Sequence, residues 1–336
     1  MIVLSILALW VLGDGYARAD VSGDWAIFKG VFVMADGRVV DSPDGTSHAR
    51  NQGIALLGAV AADDRDAFNH ILRWTEANLD IRGDGLYACE WLPEVGVTAK
   101  RDGADGDILI AWALLRAQAK WHAPDYKEIA LRSVAGIRKR LLREHAGYLI
   151  LLPSAEGYDG LRSTTINLSY WIFPALKSFA AADPTPRWKQ LADDGIKLLQ
   201  QARFGASKLP TDWVDLDDHG AVVPSAGQPP RFGSDAQQIP LYLAWGMTGD
   251  PRLPDLQEPF LKRWAHDTGA IAPLWIDVST GAIAPTRAGP GLDAILAVTR
   301  ASVGKVPPVT PPITSALDYR AASLILLGEI SAEAPH

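Results

Sequence analysis

Apolar residues recur at helical spacing from one end of this 336-residue chain to the other, and no Pro/Gly/Ser linker or low-complexity segment divides them. That pattern confines the chain to packed helices in a single domain. The clearest stretch covers 105–121, where Ile108, Ala111, Trp112, Leu115 and Ala119 fall at i, i+3, i+4, i+7 and i+11. Further helices are predicted at about 51–62, 65–79, 126–143, 168–181, 187–203, 236–247, 253–267, 289–301 and 315–329, with a first amphipathic turn around 25–32. Strand-like alternation is confined to 148–152 and to 212–223, where Asp217-Asp218-His219-Gly220 reads as a hairpin turn. Successive helices joined by shorter and longer connections point to helical hairpins in a ring or stack. A solenoid is disfavoured because no repeat period is recognisable.

Composition narrows the function. The 32 basic residues are outnumbered by 39 acidic ones and form no block, so the electrostatic footprint of a nucleic-acid binder is missing. The one cysteine, Cys89, excludes an internal disulfide framework and reads as a small buried hydrophobe. The seven histidines show no ligand spacing, so neither metal nor other cofactor is expected. Residues 1–12 are apolar and are followed by Ala17-Arg18-Ala19, the small-x-small form of a cleavage site. Residues 1–19 are therefore expected to be an export signal, with a buried N-terminal strand as the alternative. The run is shorter than the roughly 20 residues a spanning helix needs. The mature chain, 20–336, is expected to be periplasmic or secreted, and a monomer.

No Walker A loop, G-x-G-x-x-G, H-E-x-x-H or G-x-S-x-G is present. What remains is a set of carboxylates beside aromatic residues in segments that enter helices, in a chain whose twelve tryptophans outnumber its eight tyrosines and eight phenylalanines. Hydrolysis of a glycosidic bond needs one carboxylic acid for the leaving oxygen and one carboxylate for water. Flat rings that stack on sugars complete such a site, although most tryptophans are simply core. The segment Gly103-Ala104-Asp105-Gly106-Asp107-Ile108-Leu109-Ile110-Ala111-Trp112 can be read two ways. It is either a capped amphipathic helix or the start of such a site.

From Asp105 onward that segment resembles the signature of glycoside hydrolase family 8, whose Ala-Ser/Thr before the first Asp is here Gly103-Ala104. The resemblance is strongest to the periplasmic cellulases of bacterial cellulose synthesis. Trp25-Ala26-Ile27-Phe28-Lys29, Asp64-Arg65-Asp66-Ala67-Phe68, Asn167-Leu168-Ser169-Tyr170, Asp212-Trp213-Val214 and Ser234-Asp235-Ala236-Gln237-Gln238-Ile239-Pro240 are similar to successive segments of those enzymes, in order, over about residues 24–328. The resemblance implies an all-α fold, an (α/α)6 barrel of six helical hairpins with short β-hairpin excursions in loops, and a groove for a β-1,4-linked glucan or another exopolysaccharide. It implies that Asp235 is the general base of an inverting reaction and that Asp105 holds the sugar at the cleavage point, with Asp107 as support. Trp91, Asn167, Tyr170, Asp212, Trp213 and Gln238 would serve substrate binding.

The family keeps its acid in Ser-Glu-Gly-Gln, and register from Asp64-Arg65 puts Ala49-Arg50-Asn51-Gln52 there. A guanidinium is protonated at any biological pH, so Arg50 cannot deliver a proton, and losing a positioned acid costs about 100- to 10,000-fold. Near the base, Ser234 replaces Tyr and Gln238 replaces Arg. Arg50 is expected to point into the groove and pair with Asp105 or Glu90. Glu90 is the nearest candidate for a substitute acid, or else a solvated loop charge. Three readings stay open: an endo-β-1,4-glucanase-like hydrolase weakened by the missing acid, a non-catalytic polysaccharide-binding relative in synthesis or export, and a helical protein with an unrelated role.

Overall fold

The computed structural model describes residues 20–158, 160, 162–265, 272–304 and 306–333, so the expected export signal lies outside the described residues. Among the described residues are eleven α-helices: α1 (Val21–Phe32), α2 (Ala49–Ala61), α3 (Arg65–Leu79), α4 (Ala104–Trp121), α5 (Pro124–Arg140), α6 (Phe173–Ala182), α7 (Pro186–Gln201), α8 (Ile239–Gly246), α9 (Leu253–Ala265), α10 (Pro290–Gly304) and α11 (Tyr319–Glu333). Helices α2, α4, α6, α8, α10 and α11 touch in a closed circuit, α11 returning to α2. Against the outside of that circuit pack α3 on α2, α5 on α4, α7 on α6, α9 on α8 and α1 on α11. The sequence explains the division. Helices α2 and α11 are apolar nearly all round and are buried on all sides, whereas α3 and α7 bury one stripe and turn charged residues outward.

Helix boundaries follow local chemistry. Asp64 caps α3 by accepting from the Ala67 amide at 3.0 Å, and takes the Trp25 indole N–H at 3.0 Å, which ties α1 to α3. The helices predicted at 168–181 and 236–247 each begin with a 3₁₀ turn, Leu168–Tyr170 and Ala236–Gln238, because Pro174 and Pro240 sit in the first turns of α6 and α8 and fix the α-helical starts there. The predicted 126–143 helix stops at Arg140. Its last residues enter a hairpin turned by Ala146 and Gly147, both at positive φ.

Strand is more frequent than the alternation predicts. Among the described residues are ten short strands: β1 (Ser47–His48), β2 (Glu90–Leu92), β3 (Gly96–Ala99), β4 (Leu142–His145), β5 (Tyr148–Leu151), β6 (Ser163–Ile166), β7 (Val214–Asp217), β8 (Val222–Pro224), β9 (Arg231–Phe232) and β10 (Ile276–Asp277). They form four small antiparallel sheets, β1-β2-β3, β4-β5, β6-β7-β8 and β9-β10. All lie in connections that lead into α2, α4, α6, α8 and α10, whereas the connections leaving α2, α4, α6 and α8 are short and strandless. The long, structured loops therefore gather at the N-terminal end of the helix circuit. No described helix is long and apolar enough to cross a membrane.

Where α1 meets α11, Glu329 is buried and accepts from the Thr310 hydroxyl at 3.3 Å. Burial, and then the neighbouring Asp24, push its carboxyl from the ordinary 4.5 up to about 9. The folded state thus holds a proton that the unfolded chain releases at lower pH. Stability is fully present below about pH 4.5 and is lost as pH rises toward about 9. Thermal melts should show Tm falling by several degrees between about pH 6 and 9, and Glu329→Gln should flatten that slope. A slope unchanged in the variant would assign it to other groups.

Candidate active site

Helices α2 and α4 approach so closely because each offers a glycine to the other. A Cβ on Gly53 would meet the Leu109 Cβ at 2.6 Å, and one on Gly106 would meet the Arg50 backbone nitrogen at 2.8 Å. The approach brings the two N-terminal turns together, and Arg50 Nη1 donates to Asp105 Oδ2 at 2.8 Å. Nη2 donates to Gln238 Oε1, whose amide nitrogen donates in turn to the Ser234 carbonyl at 3.0 Å. Burial would ease proton loss from Arg50, but the charge of Asp105, with Tyr242 and Asp235 behind it, outweighs burial and holds the proton more tightly than usual. The guanidinium is a fixed cation.

Asp235 enters the same cavity, of about 450 Å³, from the loop before α8. That loop is shaped by Asp212, whose Oδ1 accepts from the amides of Gly233, Asp235 and Ala236 at 3.1, 3.1 and 2.8 Å. Asn167 Nδ2 donates to Asp235 Oδ2 at 2.8 Å, while its own Oδ1 caps the 3₁₀ turn through Ser169. Burial raises the Asp235 carboxyl above the usual carboxylate range, and Arg50 and Asn167 oppose the rise. A carboxylate so held, with one oxygen fixed by an amide donor, is chemically able to take a proton from water.

Of the other residues singled out in the sequence, Glu90, Tyr170, Trp213 and Gln238 line the cavity. Tyr158 stacks on Trp213 with centroids 5.7 Å apart and planes 3° apart, and Tyr170 meets the Trp213 edge at 6.2 Å. Trp91 is not part of the lining. Neighbours on a strand face opposite ways, so as Glu90 turns to the cavity Trp91 turns away, its ring edge-on to Trp74 at 5.3 Å and under the Arg38 guanidinium at 4.9 Å. Asp107 is also displaced, since two residues along a helix rotate a side chain by about 200° from Asp105. It is fully buried, accepts from the Tyr87 amide at 2.7 Å, and is pushed well above the carboxylate range by burial and then by Asp102. Asp212 lies behind the loop, not at the cavity wall.

Several lining residues carried no signal in the sequence. His48 Nδ1 lies 3.1 Å from Asp41, and its Nε2 lies 3.4 Å from Glu90. The Asp41 hydrogen bond outweighs burial and raises the imidazole above its ordinary value. Glu90 also accepts from the Thr98 hydroxyl. Arg101 and Arg320 bring two more cations to the wall, Arg320 donating to Gln237 Oε1 at 2.9 Å.

The chain matches the family model described as Glycosyl hydrolases family 8 over residues 3–332. It is 37% identical over 286 residues to an endoglucanase of Cellulomonas uda, covering 84% of this chain and 78% of that one. Among solved structures, it is similar to an endoglucanase from Komagataeibacter sucrofermentans, with TM-score 0.88, 33% identity, and 94% of this chain and 98% of that one covered. It is also similar to a family 8 endo-β-1,4-glucanase from an Achatina fulica gut metagenome, with TM-score 0.85, 36% identity, and coverage of 92% and 96%.

Proposed function

The chain belongs to glycosyl hydrolase family 8 and is a glycoside hydrolase by that membership, and on this premise we propose that it is an inverting endo-β-1,4-glucanase-like enzyme whose proton-donating step is impaired. The closed helix circuit is then an (α/α)6 barrel, in which the segment 306–318 stands where a twelfth helix would pack. Residues 20–336 form that single domain, exported by the leading 19 residues to the periplasm or beyond, and acting as a monomer. The catalytic parts are Asp235 as base and Asp105 as the residue that holds the sugar, with Tyr170, Trp213, Asn167 and Gln238 around the substrate.

One observation carries the reading: Arg50 occupies the first turn of α2 with its guanidinium bonded to Asp105. An acid in that turn would face the same cavity as the base, which is the arrangement inversion requires. The same observation favours a second reading, a polysaccharide-binding relative in exopolysaccharide synthesis or export, in which Arg50 contacts an acidic or acylated sugar.

Purified protein incubated with carboxymethylcellulose, cello-oligosaccharides and the host's own exopolysaccharide separates the two, with reducing ends and binding measured side by side. The hydrolase reading expects reducing ends at a rate about 100- to 10,000-fold below that of an enzyme with its acid in place. Tight binding with no reducing ends from any substrate would favour the binding role.

A further inference from the structure

A second cavity, of about 550 Å³, opens at the opposite end of the helix circuit. Its wall draws on the C-terminal halves of helices whose N-termini line the first cavity, through Val60 of α2, Arg116 and Lys120 of α4, Trp245 of α8 and Glu333 of α11, and is completed by Pro174 and Lys177 of α6. At about 1.5 Å per residue, Arg116 lies roughly 16 Å along α4 from Asp105, so the two cavities are separate.

The cations here divide by their partners. Lys120 Nζ donates to the carbonyls of Val60 and Ala61 at 2.9 and 3.3 Å, which answers the exposed C-terminal end of α2. Arg116 has no such role. Its guanidinium lies over the rings of Trp112 and Trp245, at 5.5 and 5.8 Å from their centroids, and those rings meet edge to face at 4.7 Å. Its Nη1 is shut off from solvent with no hydrogen-bond acceptor among the described residues. Burial lowers its pKa to about 10, with only the charge of Glu333 opposing, so it stays a cation at neutral pH. The rest of the guanidinium lines the cavity, so an oxyanion seated there would meet its charge and offset the cost of burying an unpaired cation. Lys177, exposed on α6, adds a second positive charge at the wall.

We propose that this cavity binds a compact oxyanion, the carboxylate or phosphate group of a small molecule or sugar, through Arg116 held flat by Trp112 and Trp245, with Lys177 as the accessory cation. Calorimetric titration of the full chain with sodium phosphate and, separately, sodium glucuronate at pH 7 tests it. Binding of at least one is expected, weakened about ten- to hundredfold in Arg116→Gln, the range for a lost charged hydrogen bond. Phosphate alone would assign the site to phosphorylated ligands, and glucuronate alone to acidic sugars. Because Arg116 packs against two rings, Lys177→Glu provides a variant at an exposed position, expected to weaken binding several-fold with Tm unchanged. No binding of either anion by wild type, or binding equal in wild type and both variants, would overturn the proposal. So would binding lost in Arg50→Gln but kept in Arg116→Gln, which would put the anion in the first cavity.

Discussion

Arg50→Glu is expected to raise hydrolysis of cello-oligosaccharides by about 100- to 10,000-fold, the usual contribution of a positioned general acid. The side chain leaves the first turn of α2 at a place fixed by the Gly53 and Gly106 contacts, which the substitution does not touch. A glutamate there faces the cavity that Asp105 and Asp235 share. It would be kept partly protonated by burial beside two other carboxyls. Removing the guanidinium also removes a cation that opposes the rise of Asp235. The base should then need a higher pH to ionise, and the acid limb of the pH–rate profile should lie higher than in a variant that keeps a cation at residue 50. Asp235→Asn in the Arg50→Glu background should abolish the gain, because water would lose its base. Equal reducing-end formation by wild type and Arg50→Glu would show that the proton comes from elsewhere, and would direct attention to Glu90 and the His48 that sits 3.4 Å from it.

The helices were legible because burial in this fold is graded by layer, and each layer writes its own pattern. The stripe on α3 has one apolar face, whereas α2 and α11 are apolar nearly throughout. The strands were not legible, since two- to four-residue strands stabilised by neighbours distant in sequence leave too short an alternation to read. The same limit applies to the site. Asp105 and Arg50 fall at helix starts, where a linear motif fixes position, and the cavity collects both. Trp91 lies outside the lining because its orientation depends on the pairing of β2 with β1 on one side and β3 on the other, which no local pattern announces. His48 and Arg101 reach the cavity from two separate connections and Arg320 from the first turn of α11, and the three share no spacing. Asp107 looked like a partner of Asp105 in the sequence, yet helical rotation sends it into the core.

Asp212→Ala is the other substitution with a large expected effect, and it acts without touching the substrate. One oxygen of Asp212 gathers the amides of Gly233, Asp235 and Ala236, so its loss orphans three backbone donors in a largely enclosed loop. Leaving buried donors unmade costs about 1 to 3 kcal/mol each, of which water entering the space would recover part, so a net loss of about 2 to 4 kcal/mol is expected. Gly233 packs directly on that carboxylate, where a Cβ would meet Asp212 Oδ2 at 2.3 Å, so removing the side chain opens space into which the loop can shift. With the loop displaced, Asp235 would lose register with Asn167, and turnover in the Arg50→Glu background should fall at least about tenfold while substrate affinity changes little. Asp212→Asn keeps an acceptor in place and should retain the fold. It also separates charge from shape, because burial and the charge of Asp235 outweigh the three amides and push the Asp212 carboxyl from 3.8 up to about 6. Wild-type stability should therefore decline as pH rises from about 4 to 6, and this component should vanish in Asp212→Asn. Thermal melts of the two variants across that range, with the rate measured alongside, decide the point: an Asp212→Ala protein with wild-type Tm and undiminished turnover would mean that the loop is held by something else.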